Sequence, residues 1–167
     1  MKSILSLLIL LLVVGCASKK TDKELFDEAQ KNLKENKMAE AVTAFDKIAT
    51  EYSDSKLAPE ALSQLAAIYQ NKMDKSISEK ENLEKSVSIF KKLHDEYPKS
   101  EYAPTGLFMA AFISANELNK YDEATALYKQ FLQEYPENDL AASARAELDN
   151  MGKSPEDILR NSQPKEK

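Results

Sequence analysis

Three near copies of one short stretch constrain this chain more than anything else in it: Glu51-Tyr52-Ser53-Asp54-Ser55, Glu96-Tyr97-Pro98-Lys99-Ser100 and Glu134-Tyr135-Pro136-Glu137-Asn138. Each reads as a stop followed by a start. The residue before a proline is pushed out of the right-handed helical region, and Ser or Asn a few residues on can cap whatever follows. Punctuation used three times at comparable spacing implies a repeat.

The stretches between these marks have helical periodicity. Leu25, Phe26, Ala29 and Leu33 recur at three- and four-residue steps, which defines one buried helical face. Asp22 opens this helix, which runs to about Glu35, and Asn36 is a left-handed stop. Five more helices follow: from Met38 to Tyr52, about Lys56 to Asn71, one opened by a capping box of Ser78 and Glu81 and running to Tyr97, about Glu101 to Leu118, and Asp122 to Tyr135. A seventh spans Asp139 to Met151. With only three Gly in the chain and an abundance of Ala, Leu, Glu and Lys, the expected class is all-α.

The copies fall into register from the small residue of each second helix, Ala41, Ser86 and Ala124. Four residues later stand Phe45, Phe90 and Tyr128; seven later, Ile48, Leu93 and Phe131; eleven later, Tyr52, Tyr97 and Tyr135; seventeen later, Ala58, Ala103 and Ala141. This pattern resembles the tetratricopeptide repeat, whose second helix carries a small residue, an aromatic and a closing proline at such spacings. The resemblance covers about Asp22 to Met151 and implies a solenoid of three helix pairs plus a C-terminal capping helix. A cap with a polar outer face is needed where no further repeat covers the last one. The separation is 45 residues from Ala41 to Ser86 but 38 from Ser86 to Ala124, so the middle pair carries an insertion between Tyr69 and Leu83. The segment Asn71 to Ser78 is then either a tolerated surface loop or a partner-contact loop.

Residues 1–15 differ in kind. Lys2 precedes an apolar run from Ile4 to Val14 broken only by Ser6, about half the length needed to span a bilayer and typical of a signal-peptide core. Val13-Val14-Gly15-Cys16 follows, and Cys16 is the only cysteine of the chain. These residues resemble the lipobox of bacterial lipoproteins, which implies cleavage before Cys16 and acylation of its thiol. The competing reading is an ordinary secretory signal with an incidental cysteine. Residues 16–21 then form the lipidated Cys and a short tether, 22–152 the repeat domain and 153–167 a polar tail. Ala17 after the Cys, where a retention signal resembling that of some inner-membrane lipoproteins would have Asp, points to the outer membrane with the domain facing the periplasm.

Catalysis is not expected. His94 is the single histidine and the glycines form no phosphate loop, so neither a metal cluster nor a cofactor cradle is in view. A net charge of −5 spread along the chain offers no footprint for nucleic acid. Binding is the expected use: in such solenoids the first helix of each pair lines a concave groove. The family's groove positions correspond here to Phe26 and Gln30, then Gln64, Ile68 and Asn71, then Met109, Ile113 and Asn116. Their amides would hold a peptide backbone and their apolar side chains add contact, although Ile68 and Ile113 read equally well as core. A lipobox with repeats closing on Glu-Tyr-Pro is similar to the BamD type of outer-membrane assembly lipoproteins, which scaffold β-barrel insertion. It also resembles the Tol-Pal coordinator repeat domain and, more distantly, secretin pilotins. The implied partners are envelope proteins or peptides, with the membrane engaged through Cys16.

Overall fold

A computed structural model describes residues 19–153. The signal peptide, Cys16 and most of the C-terminal tail lie outside those residues. Among the described residues there are seven helices: α1 (Asp22–Lys34), α2 (Met38–Glu51), α3 (Ala58–Gln70), α4 (Glu79–Glu96), α5 (Tyr102–Asn116), α6 (Tyr121–Glu134) and α7 (Ala141–Asn150). Each packs on its neighbours in the chain, and α3 also touches α5. The fold is an all-α repeat solenoid with α7 closing it.

Local chemistry sets the helix ends. The cap of α1 is Thr21, one residue earlier than expected, because Thr21 and Glu24 form a reciprocal capping box. Asp22 instead accepts from the Ser55 hydroxyl at 2.5 Å. Ser78 and Glu81 build the same box at the start of α4, as expected. Asn36 and Asn119 turn the chain at φ of 57° and 55°, the left-handed conformation that Asn tolerates best after Gly. Lys72 takes the same conformation at φ 55° after α3, where nothing in its side chain announces it. Gly152, at φ 70°, ends α7.

The junctions are built alike in all three copies. Tyr52, Tyr97 and Tyr135 close their helices by donating backbone N–H groups to Ile48, Leu93 and Phe131. Ser55, Ser100 and Asn138 donate their N–H to the carbonyls of those tyrosines. Their side-chain oxygens accept from the N–H of Leu57, Tyr102 and Leu140 at 3.0, 3.1 and 2.9 Å. Each tyrosine hydroxyl then reaches back one junction: Tyr97 donates to the Ser53 carbonyl at 2.8 Å and Tyr135 to that of Pro98 at 3.5 Å. Tyr52 has no earlier junction, and its hydroxyl takes the Lys20 carbonyl at 2.5 Å. Lys19 pairs with Glu51 at 3.0 Å and lies 4.8 Å from the centre of the Tyr52 ring. Of the tether expected over 16–21, the described part is therefore fastened to the first pair.

Two apolar clusters run through the solenoid, one centred on Phe45, Ile48 and Leu65 and the other on Phe90, Leu107 and Phe131. Ile89 and Tyr97 pack against both. The small register position is small for a reason: Ala41, Ser86 and Ala124 are fully buried, and Ser86 donates to the Ala66 carbonyl at 2.9 Å across α3 and α4. Twenty residues beyond it stand Ala61, Gly106 and Ala144, also buried. A Cβ on Gly106 would lie 3.1 Å from Leu93 Cδ2 and 3.2 Å from the Phe90 carbonyl, so this glycine permits the close approach of α4 and α5. Nine of the fifteen residues of α5 are buried, because α3, α4 and α6 pack on it, and a stripe of Tyr102, Thr105, Met109, Phe112 and Asn116 is left partly or fully exposed.

Candidate functional site

One pair of first helices, α3 and α5, lies nearer together than any two second helices do. α3 packs on α5, while α2 and α4, or α4 and α6, make no comparable contact. The solenoid is thus tightest between the first helices of its second and third pairs, α3 and α5. That closeness puts α3 and α5 on the inner face.

The residues expected to line that face divide into three groups. Phe26, Gln30, Gln64 and Met109 are half-buried, with Phe26 edge-on to Phe45 at 5.6 Å between ring centres. Neither Gln30 nor Gln64 spends its amide on a partner among the described residues, which leaves both able to pair with a peptide backbone. Asn71 and Asn116 are exposed at equivalent positions. Each returns its amide N–H to its own helix, to Ala67 at 2.8 Å and Phe112 at 3.2 Å, and Asn116 also approaches Glu147 at 3.4 Å. Such amides terminate a helix before they bind a ligand. Ile68 and Ile113, at 3% and 1% exposure, are core. Their apolar contact with a partner is withdrawn, because the two faces of a buried helix cannot be told apart by periodicity when both are apolar.

The insertion 71–78 is more than a surface loop. Met73 and Ile77 pack against the first apolar cluster, and Asn82 from α4 donates to the Asp74 carbonyl at 2.8 Å. Lys72 joins it to the end of α5 through Glu117 at 3.2 Å. Sequence spacing located the insertion, but only the two apolar residues within it hinted that it folds back.

His94 is buried and bridges repeats. Its Nε2 lies 2.8 Å from Glu134 on α6 and its Nδ1 3.0 Å from Asp95, with the Tyr135 ring edge-on at 6.1 Å. Burial opposes the charged form, but the two carboxylates outweigh it and hold the imidazole above the usual histidine value. Burial likewise opposes ionisation of Glu134, and its bonds from Gln130 and His94 prevail and hold it below the usual value. A raised histidine pKa contributes stability in full below about pH 6.5, lost as pH rises through the folded value. The lowered Glu134 value contributes above about pH 4.5 and is lost on acidification. Thermal melting of His94→Gln against the parent chain should therefore show a larger deficit near pH 6 than near pH 8. An identical deficit at both would mean that His94 only packs.

Among the described residues no group of His, Cys, Asp and Glu is arranged to hold a metal ion. No described helix is long and apolar enough to cross a membrane. The sequence of the second and third helix pairs matches the tetratricopeptide repeat family over residues 60–100 and 106–138. Those two segments are tetratricopeptide repeats. Those matches cover α3 to α6, and the pair α1 and α2 repeats the same register and the same junction chemistry outside them. No curated protein sequence matches the chain significantly. Tetratricopeptide repeats serve as protein-interaction scaffolds, so partners of this chain are sought among proteins and peptides.

Proposed function

We propose that the protein is a membrane-anchored, periplasm-facing scaffold that holds envelope proteins together, most directly in outer-membrane protein assembly of the BamD type. The observation that carries this reading is the set of half-buried residues on the first helices, Gln30 and Gln64 with unspent amides and Phe26 and Met109 with apolar surface. That combination suits an extended peptide or a partner helix, whose backbone the amides would hold while its side chains meet the apolar pair. The Val13-Val14-Gly15-Cys16 sequence supports the anchor. Two or three acyl chains on Cys16, at about 0.8 kcal/mol per buried methylene, would make it effectively permanent. Since Lys20 is tied to Tyr52, at most about 14 Å of extended chain would separate an acylated Cys16 from the first helix pair, and the scaffold would work close to the bilayer.

Photocrosslinking from positions 64 and 109 in intact cells tests the reading. A barrel-assembly subunit is the expected product, at least tenfold reduced in a Gln64→Ala, Met109→Glu double variant of unchanged melting temperature. Undiminished capture in that variant removes the inner face from the proposal, and Pal or a cell-wall synthase as the captured partner replaces the assembly role. In the same cells Cys16→Ser should be released by a high-salt wash. Retention in the membrane pellet would sink the lipid anchor.

A further inference from the structure

The outer side of the solenoid has two gaps between second helices, and they are finished differently. Three charged pairs bridge α4 and α6: Lys91 to Glu123 at 3.0 Å, Glu84 to Lys120 at 3.0 Å and His94 to Glu134 at 2.8 Å. In the repeat register the corresponding residues of α2 and α4 are Asp46 with Lys85, Ala39 with Asn82 and Ala49 with Glu96. None of these forms a bridge. Lys85 lies instead over the Tyr69 ring, 5.0 Å from its centre, and Asn82 turns inward to Asp74 and Ser78. No ion pair joins α2 to α4 among the described residues.

What remains there is a groove of two recesses, about 650 and 480 Å³, that meet at Val42 and Thr43. Both volumes fall in the ~300–1,000 Å³ range of ligand-binding clefts. The first recess runs under the insertion past Met38 and Met73, and the second lies between Val42 and Ile89 above Tyr69. Four lysines line the groove, Lys47, Lys75, Lys85 and Lys92, against the two aspartates Asp46 and Asp74. Asp74 is engaged by the backbone and hydroxyl of Ser76. Lys92 also approaches Glu96 at 3.9 Å, so in a chain of net charge −5 four lysines against three carboxylates leave a small local excess of positive charge around an apolar floor.

We propose that this outer groove docks an acidic amphipathic helix of a partner protein, a second surface on the opposite side from the inner face. Met38 and Val42 on α2, and Lys85 and Ile89 on α4, are spaced four residues apart, so both walls present the helical repeat. A third helix set between them would put its apolar stripe on Val42 and Ile89 and its carboxylates beside the lysines, completing the ionic bridges that the α4 and α6 gap makes internally. From Met38 to Asp46 the wall extends about 12 Å, a little over two turns.

The probe is a fluorescein-labelled helical peptide with leucine at every third and fourth position and glutamate and alanine elsewhere, followed by anisotropy. Its counterpart has lysine for glutamate. The glutamate peptide should bind saturably, weaken as salt rises, and lose at least tenfold in affinity to Lys85→Glu with Lys92→Glu and to Val42→Asp. Each variant is first shown to melt as the parent does, and Gln64→Ala with Met109→Glu should leave binding unchanged. The proposal is overturned by equal binding of the lysine peptide, by no saturable binding up to about 1 mM, or by loss only in the inner-face variant. Concentration-dependent dimerisation that displaces the peptide would give the groove to a second copy of this chain and overturn it as well.

Discussion

Phe131→Ala is expected to lower stability by about 3–5 kcal/mol, the range for deleting a buried aromatic. Phe131 is fully buried. Its ring meets Phe108 edge-on at 5.8 Å and Tyr135 at 5.6 Å, so it joins α5, α6 and the last junction at once. The cavity would open where α7 has least other support, since α7 packs chiefly on α6 and buries only Ala141 and Ala144. Urea unfolding should show a midpoint shift amounting to a large share of the ~5–15 kcal/mol typical of a domain. The cap should lose hydrogen-exchange protection before α1 to α4 do. A shift below about 1 kcal/mol would mean that the last pair is not cooperative with the rest.

Gly106→Leu should destabilise by overpacking, where Phe131→Ala does so by leaving a void. The new side chain starts 3.2 Å from the Phe90 carbonyl and 3.1 Å from a Leu93 methyl. The leucine can shift, but the carbonyl belongs to helix α4 and cannot yield without moving the whole helix. Overpacking of this kind costs about 1–3 kcal/mol and sometimes more. Helix propensity works the other way, at roughly 1 kcal/mol in favour of leaving Gly, so net destabilisation isolates the tertiary contact. The midpoint of chemical unfolding reads it directly, and net stabilisation would show that α4 and α5 have slack between them.

The register of small and aromatic residues made most of the architecture legible. Ala41, Ser86 and Ala124 are buried where the repeat pattern puts them, but the Ser and Asn side chains at the junctions do not cap the next helix. Each accepts from the N–H two residues on and shapes the turn before it, while α3, α5 and α7 follow Leu57, Glu101 and Leu140 without a side-chain cap. Legibility failed where a signal was ambiguous or silent. α5 is apolar on every side, so its period did not separate Met109, half-exposed, from Ile113, which is core. Asn71 and Asn116 carried the right side chain for peptide binding, but their amides are drawn to their own helices. Lys72 adopts a left-handed backbone with a side chain that gives no hint of it.

The helix pairs, their order, the stops at Asn36 and Asn119 and the place of the insertion can all be read from the residues alone. Those features depend on neighbours within a few residues, where capping, proline geometry and apolar spacing act directly. How the pairs meet depends on contacts between distant parts of the chain. Tyr97 reaches back to Ser53 and His94 forward to Glu134, across distances in the chain over which no local propensity operates. The gap between α4 and α6 is laced by charge while that between α2 and α4 stays open, because Lys85 is drawn to the Tyr69 ring rather than to Asp46 and Ala39 and Ala49 carry no charge to bridge with, which shows only once two helices face each other.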